Sequence, residues 1–219
     1  MPDFVAGELA RLRPRWDAML GHPFLRDLRD GSLPEPVFTR WLAQDYLFAG
    51  HCVGVLGALL ARAPARHRDL LLDALEAYRE ELRLFAAEAE RLGVSLDAEP
   101  ALVTHAYTQF LSATALGGSY GEAFTALVVL ERAYLDAWRF VREGLSPTSP
   151  WSAFVDRWAS DEFAGYVGLL ERELNGLAGE AGTSERAAMS RSFELTVRYE
   201  IAFWEMALTG ARWPGEGAG

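Results

Sequence analysis

An all-α fold, a helical bundle of about seven helices, is predicted by three features of the 219-residue sequence. Apolar residues recur at three- and four-residue spacing nearly end to end. No stretch shows the strict alternation of a half-buried strand. The breaks between periodic segments carry recognisable helix starts and stops.

The first helix is predicted from about Asp3 to Met19, ended by Gly21-His22-Pro23-Phe24 and a short turn. Ser32 and Glu35 have capping-box spacing, and Pro34 sits where a helix start tolerates proline. They open a second helix reaching about Ala61. Pro64 and the arginines between Arg62 and Arg68 separate it from a third, His67 to Leu92, stopped by Gly93. Asp97 is read as the cap of a fourth, Pro100 to Leu116, stopped by Gly117-Gly118. A second capping box, Ser119 to Glu122, opens a fifth that runs to Glu143 and ends at Gly144. Ser149-Pro150 starts a sixth through Leu174. The Gly- and Ala-rich stretch Asn175 to Gly182 reads as a loop, and the last helix spans Ser184 to Thr209. No linker long enough to divide two domains is visible, so residues 1–219 read as a single domain with a frayed tail at 210–219.

Half of the residues are hydrophobic and 12% are aromatic, which excludes a disordered chain. A folded domain of this size buries roughly 70–75% of the surface its unfolded chain exposes, enough for a closed small-molecule pocket. The formal charge of −10 repels phosphate backbones and anionic bilayers, so neither nucleic acid nor a membrane is expected as a partner. The single cysteine, Cys52, allows no internal disulfide and fits a reducing cytoplasm. The N-terminus lacks a signal-peptide pattern, and no uninterrupted apolar stretch approaches the length of a membrane span.

Chemistry is sought where polar residues share a helical face with aromatics. Trp41, Gln44, Asp45 and Phe48 lie on one face, continued by His51 and Cys52. Asp45 there either recognises a ligand or is a surface or Arg-paired acid. Glu131, Tyr134 and Trp138 share another face, directly after the apolar run Phe124 to Leu130. Burying Glu131 is costly unless it is paired or used; the alternative is a place at the solvent edge. Glu200 stacks over Phe203 and Trp204 on the last helix. Were Glu131 and Glu200 to meet, they would form a carboxylate pair suited to general acid–base work. Tyr107, with Phe110 and Leu111 on its face, is by itself an ordinary core tyrosine. Metal and nucleophile patterns fail on spacing. No acid lies three residues from His22, His51, His67 or His105, which removes the di-iron bundle motif. His-Glu-x-x-His, zinc clusters, phosphate loops and Gly-x-Ser-x-Gly are absent as well. No cofactor and no metal are expected. Cys52 reads as a small buried hydrophobe.

In order and separation, a further set of short motifs resembles the TenA family, whose members include thiaminase II. It comprises His22-Pro23-Phe24, Gly31-Ser32-Leu33, Phe38, Gln44-Asp45-Tyr46, Tyr107, Tyr134, Ala159-Ser160-Asp161-Glu162-Phe163, and Glu200 followed by Phe203-Trp204-Glu205-Met206-Ala207. The resemblance covers nearly the whole chain and implies a haem-oxygenase-like helical fold. It implies that Asp45 hydrogen-bonds an aminopyrimidine ring, that Tyr107 and Tyr134 line the pocket, and that Glu200 is the catalytic glutamate. Phe48 and Trp158 fall where many members carry tyrosine, keeping an aromatic wall without the hydroxyl. The classical branch has Pro-Cys-x-Trp-x-Tyr where this chain has Val129-Leu130-Glu131-Arg132-Ala133-Tyr134. Leu130 replaces the cysteine and Glu131 follows it, as in the branch that lacks that nucleophile.

Leucine cannot form a covalent adduct, so the resemblance implies hydrolysis by water, with Glu131 and Glu200 as catalytic residues. The substrate would be an aminomethyl- or formylaminomethyl-pyrimidine derived from thiamin. A homo-oligomer, tetramer or dimer, is expected on the same ground. The competing reading is a non-catalytic pyrimidine-binding or regulatory protein, although no DNA-binding motif supports direct DNA contact. An oxidase of the PqqC type would want clustered His and Arg, whereas the four histidines are scattered.

Overall fold

A computed structural model describes residues 3–211 and 213–215. Among these it holds ten α-helices, one 3-10 turn at Ala65–His67 and no strand. The predicted all-α class holds. Three of the seven expected helices are each divided or preceded by a shorter one, and the reasons are local.

The first expected helix breaks at Leu12 into α1 (Phe4–Arg11) and α2 (Arg13–Leu20). Pro14 has no N–H to give and its ring clashes with the carbonyl four residues back. His22-Pro23-Phe24 does more than stop α2: it starts α3 (Pro23–Arg29). Pro23 takes the first helical position, and His22 Nδ1 accepts from the Phe24 N–H at 3.2 Å. The long α4 (Glu35–Arg62) follows as expected, but without the Ser32–Glu35 box. Pro34 is its N-cap, and the Ser32 hydroxyl donates to the Asp27 carbonyl at 3.3 Å instead. α5 (Arg68–Leu92) ends where predicted, at Gly93, whose φ of +66° needs a residue without Cβ.

α6 (Leu102–Gly117) starts at Ala101 rather than through Asp97, whose side chain makes no cap. α7 (Tyr120–Arg142) matches the expected fifth helix, and from Ala123 to Glu131 every residue is buried. The expected sixth helix is two, α8 (Ser152–Trp158) and α9 (Asp161–Glu180). Ser160 breaks it by capping α9: its Oγ accepts from the Phe163 N–H at 3.0 Å and donates to the Arg157 carbonyl at 2.9 Å. The predicted loop at 175–182 is mostly helical, because α9 continues to Glu180 and buries Leu174 and Ala178. α10 (Thr183–Thr209) completes the chain. Beyond it, Trp213 Nε1 donates to the Pro100 carbonyl at 3.0 Å, which tethers part of the segment expected to fray. Residues 212 and 216–219 lie outside the described residues.

The helices gather in two compact units. One comprises residues 1–33 and 121–204, the other residues 34–120 and 205–219. In the first, the Asn175 side chain of α9 accepts from the Val5 N–H of α1 at 3.0 Å. Glu8 of α1 accepts from Ser190 of α10 at 2.9 Å, and Arg11 and Arg15 both reach Glu194 of α10. In the second unit α4 is central, packed against α5 and α6. Trp41 lies between Phe38, 5.0 Å away, and Phe85, 6.2 Å away. By length and composition alone α4 is apolar enough to cross a membrane, although Arg40, Asp45 and His51 interrupt its apolar residues. More than half of its most apolar window is buried within protein, and its face includes Gln44 and Asp45, as suits a core helix.

Candidate functional site

Trp41, Gln44, Asp45 and Phe48 are all buried, so the face read from their spacing is the inward face of α4. Asp45 is 2% exposed, which removes the surface reading of this carboxylate. The Phe48 ring meets Tyr107 of α6 with centroids 4.8 Å apart, tilted by 42°. That pair is fixed by Gln44, which the sequence grouped with the binding face but which works as a clamp. Gln44 Oε1 accepts from the Ala101 N–H at 2.8 Å and from the Thr104 hydroxyl at 2.7 Å. Its Nε2 donates to the Glu99 carbonyl at 2.9 Å. α6 has no local side-chain cap, so a residue of α4 supplies it. The register of α6, and hence the height of Tyr107 one turn on from Thr104, is thereby set from α4. Further along the face, His51 Nε2 and Ser112 Oγ are 2.6 Å apart. Cys52 is buried.

In the other unit, Glu131 and Tyr134 project from α7, Trp158 from α8 and Glu200 from α10. Glu131 is 5% exposed and Glu200 is 1% exposed, so the solvent-edge alternative for Glu131 is excluded. Tyr134 stands one turn after Glu131, and Trp204 one turn after Glu200. The two rings touch, with centroids 5.6 Å apart, so the two carboxylate-bearing turns belong to neighbouring stretches of α7 and α10. Trp158 meets Tyr134 edge-on at 5.7 Å and stacks on Trp138 at 5.2 Å. Phe24, brought in by the His-Pro-Phe turn, stacks on Trp204 at 5.3 Å with an interplanar angle of 16°. The result is two buried acids beside a continuous wall of aromatic rings. Trp204 was legible only as part of the Phe203-Trp204 motif, and Phe24 only as part of His-Pro-Phe. Trp204 Nε1 is buried without a hydrogen-bond partner among the described residues. An unsatisfied buried donor of this kind costs about 1–3 kcal/mol.

The opposite side of α7 is held by an ion-pair chain. Trp16 Nε1 of α2 donates to Asp136 at 3.0 Å, Arg132 Nε donates to Asp136 at 2.9 Å, and Arg132 Nη1 donates to Glu171 of α9 at 2.6 Å. Partial burial works against the Arg132 charge, but Asp136 and Glu171 outweigh it and raise its pKa above the ordinary value. Its guanidinium therefore stays charged and fixes the rotation of the helix that carries Glu131 and Tyr134.

Among the described residues, no group of three or more His, Cys, Asp or Glu side chains could hold a metal ion. Buried carboxylates can give and take protons, and aromatic faces can stack on a flat group.

The sequence model of the TENA/THI-4/PQQC family matches residues 9–210. The aminopyrimidine aminohydrolase of Halalkalibacterium halodurans is 28% identical over 221 aligned residues, covering 96% of this chain and 97% of its own. That of Bacillus subtilis is 26% identical, covering 90% and 86%. Among solved structures, a TenA homologue from Pyrococcus furiosus superposes with a TM-score of 0.91 at 32% identity, covering 93% of this chain and 99% of its own. A domain from Shewanella denitrificans with a heme oxygenase-like fold superposes with a TM-score of 0.75 at 12% identity, covering 98% of each chain, a likeness of fold alone. With the fold, the motifs and the family match in agreement over nearly its whole length, the chain belongs to the TENA/THI-4/PQQC family.

Proposed function

We propose that this protein is a hydrolase of thiamin-derived aminopyrimidines that works without a cysteine nucleophile. The observation that carries the reading is the pair of buried glutamates, Glu131 and Glu200, each one turn from an aromatic ring that touches the other's. Burying a carboxylate costs free energy unless it is paired and hydrogen-bonded, and such buried acids cluster at functional sites. Related proteins named aminopyrimidine aminohydrolases support the substrate class.

In this reading one glutamate takes a proton from water and the other gives one to the departing nitrogen. On the aminomethyl compound, replacing the amine on the C5 methylene by hydroxyl consumes one water and releases ammonia. Leu130 stands where the classical branch has its cysteine, so no covalent adduct forms. Asp45 accepts a hydrogen bond from the ring amine and sets the ring's orientation. The family resemblance assigns Phe48 and Tyr107 to ring recognition with Asp45, and Tyr134 and Trp158 supply aromatic faces beside the glutamates. The reaction needs no cofactor and takes place in the cytoplasm.

Incubation with aminomethyl- and formylaminomethyl-pyrimidine, with thiamin alongside, followed by product analysis, tests the proposal. Turnover of a salvage pyrimidine is expected, falling by about a hundredfold or more in Glu131→Gln and in Glu200→Gln. Asp45→Asn is expected to weaken binding. Full turnover in both glutamine variants would defeat the acid–base assignment. Tight binding of intact pyrimidine with no turnover would make the protein a carrier.

A further inference from the structure

We infer that Gln44 is a positioning residue for ring recognition: acting through α6, it sets where Tyr107 stands against Phe48, and so governs substrate affinity without entering the chemical step. The inference rests on the hydrolase reading above and concerns how its ring subsite is held together.

Gln44 precedes Asp45 and lies one turn before Phe48 on α4. Its side chain is buried, and its hydrogen bonds all go to the start of α6. The carbonyl oxygen accepts from the Ala101 N–H at 2.8 Å and the Thr104 hydroxyl at 2.7 Å, and the amide donates to the Glu99 carbonyl at 2.9 Å. This end of α6 depends on such help. Residues 94–101 before it form no helix, and α6 has no side-chain cap of its own. Trp213 reaches the same end, with its N–H on the Pro100 carbonyl and its ring 5.5 Å from His105. Those contacts hold the approach to α6, whereas Gln44 holds an N–H that the helix leaves open. Thr104 stands one turn before Tyr107, so fraying of the first turn shifts the Tyr107 ring, which meets Phe48 at 4.8 Å.

The other end of α6 is tied to α4 as well. Arg62 donates to the Ala115 and Gly118 carbonyls, both at 2.6 Å. Ala115 is about two turns beyond Tyr107, so that tie holds α6 to α4 but has little hold on the ring. The two ties therefore separate packing from positioning: both stabilise the α4–α6 pair, and only the Gln44 end sets Tyr107. Glu131 and Glu200 belong to the other compact unit, and none of the Gln44 hydrogen bonds reaches α7 or α10. A displaced ring wall weakens the bound substrate and the transition state alike. That loss raises KM and leaves kcat unchanged. Misplacement of about 1 Å can cost about a hundredfold; a first turn that frays while Phe48 still meets Tyr107 part of the time gives about a tenth of that.

The test measures kcat and KM separately, on whichever salvage pyrimidine the wild type converts, in Gln44→Ala, Gln44→Glu and Arg62→Met. Gln44→Ala is expected to raise KM by about tenfold with kcat within about twofold of wild type. Gln44→Glu keeps an acceptor for Ala101 and Thr104 and is expected to fall between the two. Arg62→Met loses the far tie, and its KM is expected to stay at the wild-type value although its stability falls. An unchanged KM in Gln44→Ala, a kcat that falls as far as KM rises, or an equal rise of KM in Arg62→Met overturns the inference and leaves the hydrolase reading intact. A wild-type protein that neither binds nor converts either compound overturns both. Should Gln44→Ala fold poorly, Gln44→Met, which keeps the volume and loses all three bonds, takes its place with the same expected rise in KM and the same grounds for rejection.

Discussion

Replacing Gln44 by alanine removes one side chain and three hydrogen bonds, to the Glu99 carbonyl, the Ala101 N–H and the Thr104 hydroxyl. Each neutral bond contributes about 0.5–1.5 kcal/mol, which gives an upper value near 4.5 kcal/mol. The lower part of that range is the better guide. Gln44 lines a groove of about 280 Å³ with Glu99, Pro100 and Trp213, through which water can reach the exposed groups. Loss of a helix cap alone costs about 0.5–2 kcal/mol, so a net destabilisation of about 2–3 kcal/mol is expected. For a chain of this length that lowers the melting temperature by roughly 5–10 °C. Urea unfolding followed by circular dichroism measures the first quantity and calorimetry the second. Amide exchange adds a local readout, since protection at residues 101–105 should fall before the rest of α6. Gln44→Glu refines the argument: it keeps an acceptor for Ala101 and Thr104 but turns an oxygen towards the Glu99 carbonyl, so it should be destabilised at neutral pH and recover on acidification. A loss under about 0.5 kcal/mol in Gln44→Ala, with exchange at 101–105 unchanged, would refute the view that α4 caps α6.

Two further predictions concern stability. Gly93 and Gly210 both have left-handed φ values, +66° and +68°, but only Gly210 is crowded. A Cβ there would lie 2.9 Å from the Arg40 guanidinium carbon, whose group donates to the Ala207 carbonyl at 2.7 Å and closes the end of α10. Gly93→Ala should cost about 1 kcal/mol for the backbone conformation alone, and Gly210→Ala about 2 kcal/mol because Arg40 must also move; equal losses would remove the role given to Arg40. Arg11 hydrogen-bonds Glu194 and, with Arg15, holds its carboxyl below the usual glutamate range. The stabilisation is complete above about pH 4.3, the unfolded value, and disappears as pH falls through the lower folded value. Glu194→Gln should therefore be less stable than wild type at neutral pH, by no more than about 1 kcal/mol for so exposed a pair, with the gap closing as pH falls through the lowered folded value; a gap independent of pH would refute the linkage.

The elements the sequence predicted well are those whose cause is local. The stop of α5 at Gly93, the span of α4, and the buried run from Ala123 to Leu130 all follow from residues next to one another in the chain. The local signals that misled are those with a competitor. Ser32 finds the Asp27 carbonyl, so its capping box does not form. Residues 175–180 look like a loop by their glycines, yet Asn175 caps the start of α1 and Ala178 is buried, and these distant contacts outweigh weak helix propensity.

The candidate site divides in the same way. Spacing alone put Asp45 beside Phe48, Glu131 beside Tyr134, and Glu200 beside Trp204, because a helix places such residues on one face whatever it packs against. Only tertiary structure decided that Glu131 is buried, that its neighbour Tyr134 touches Trp204 across two helices, and that Gln44 is a clamp. Burial and hydrogen-bond satisfaction are properties of what surrounds a group, and the surroundings here come from residues more than fifty positions away, a separation at which no local periodicity carries information.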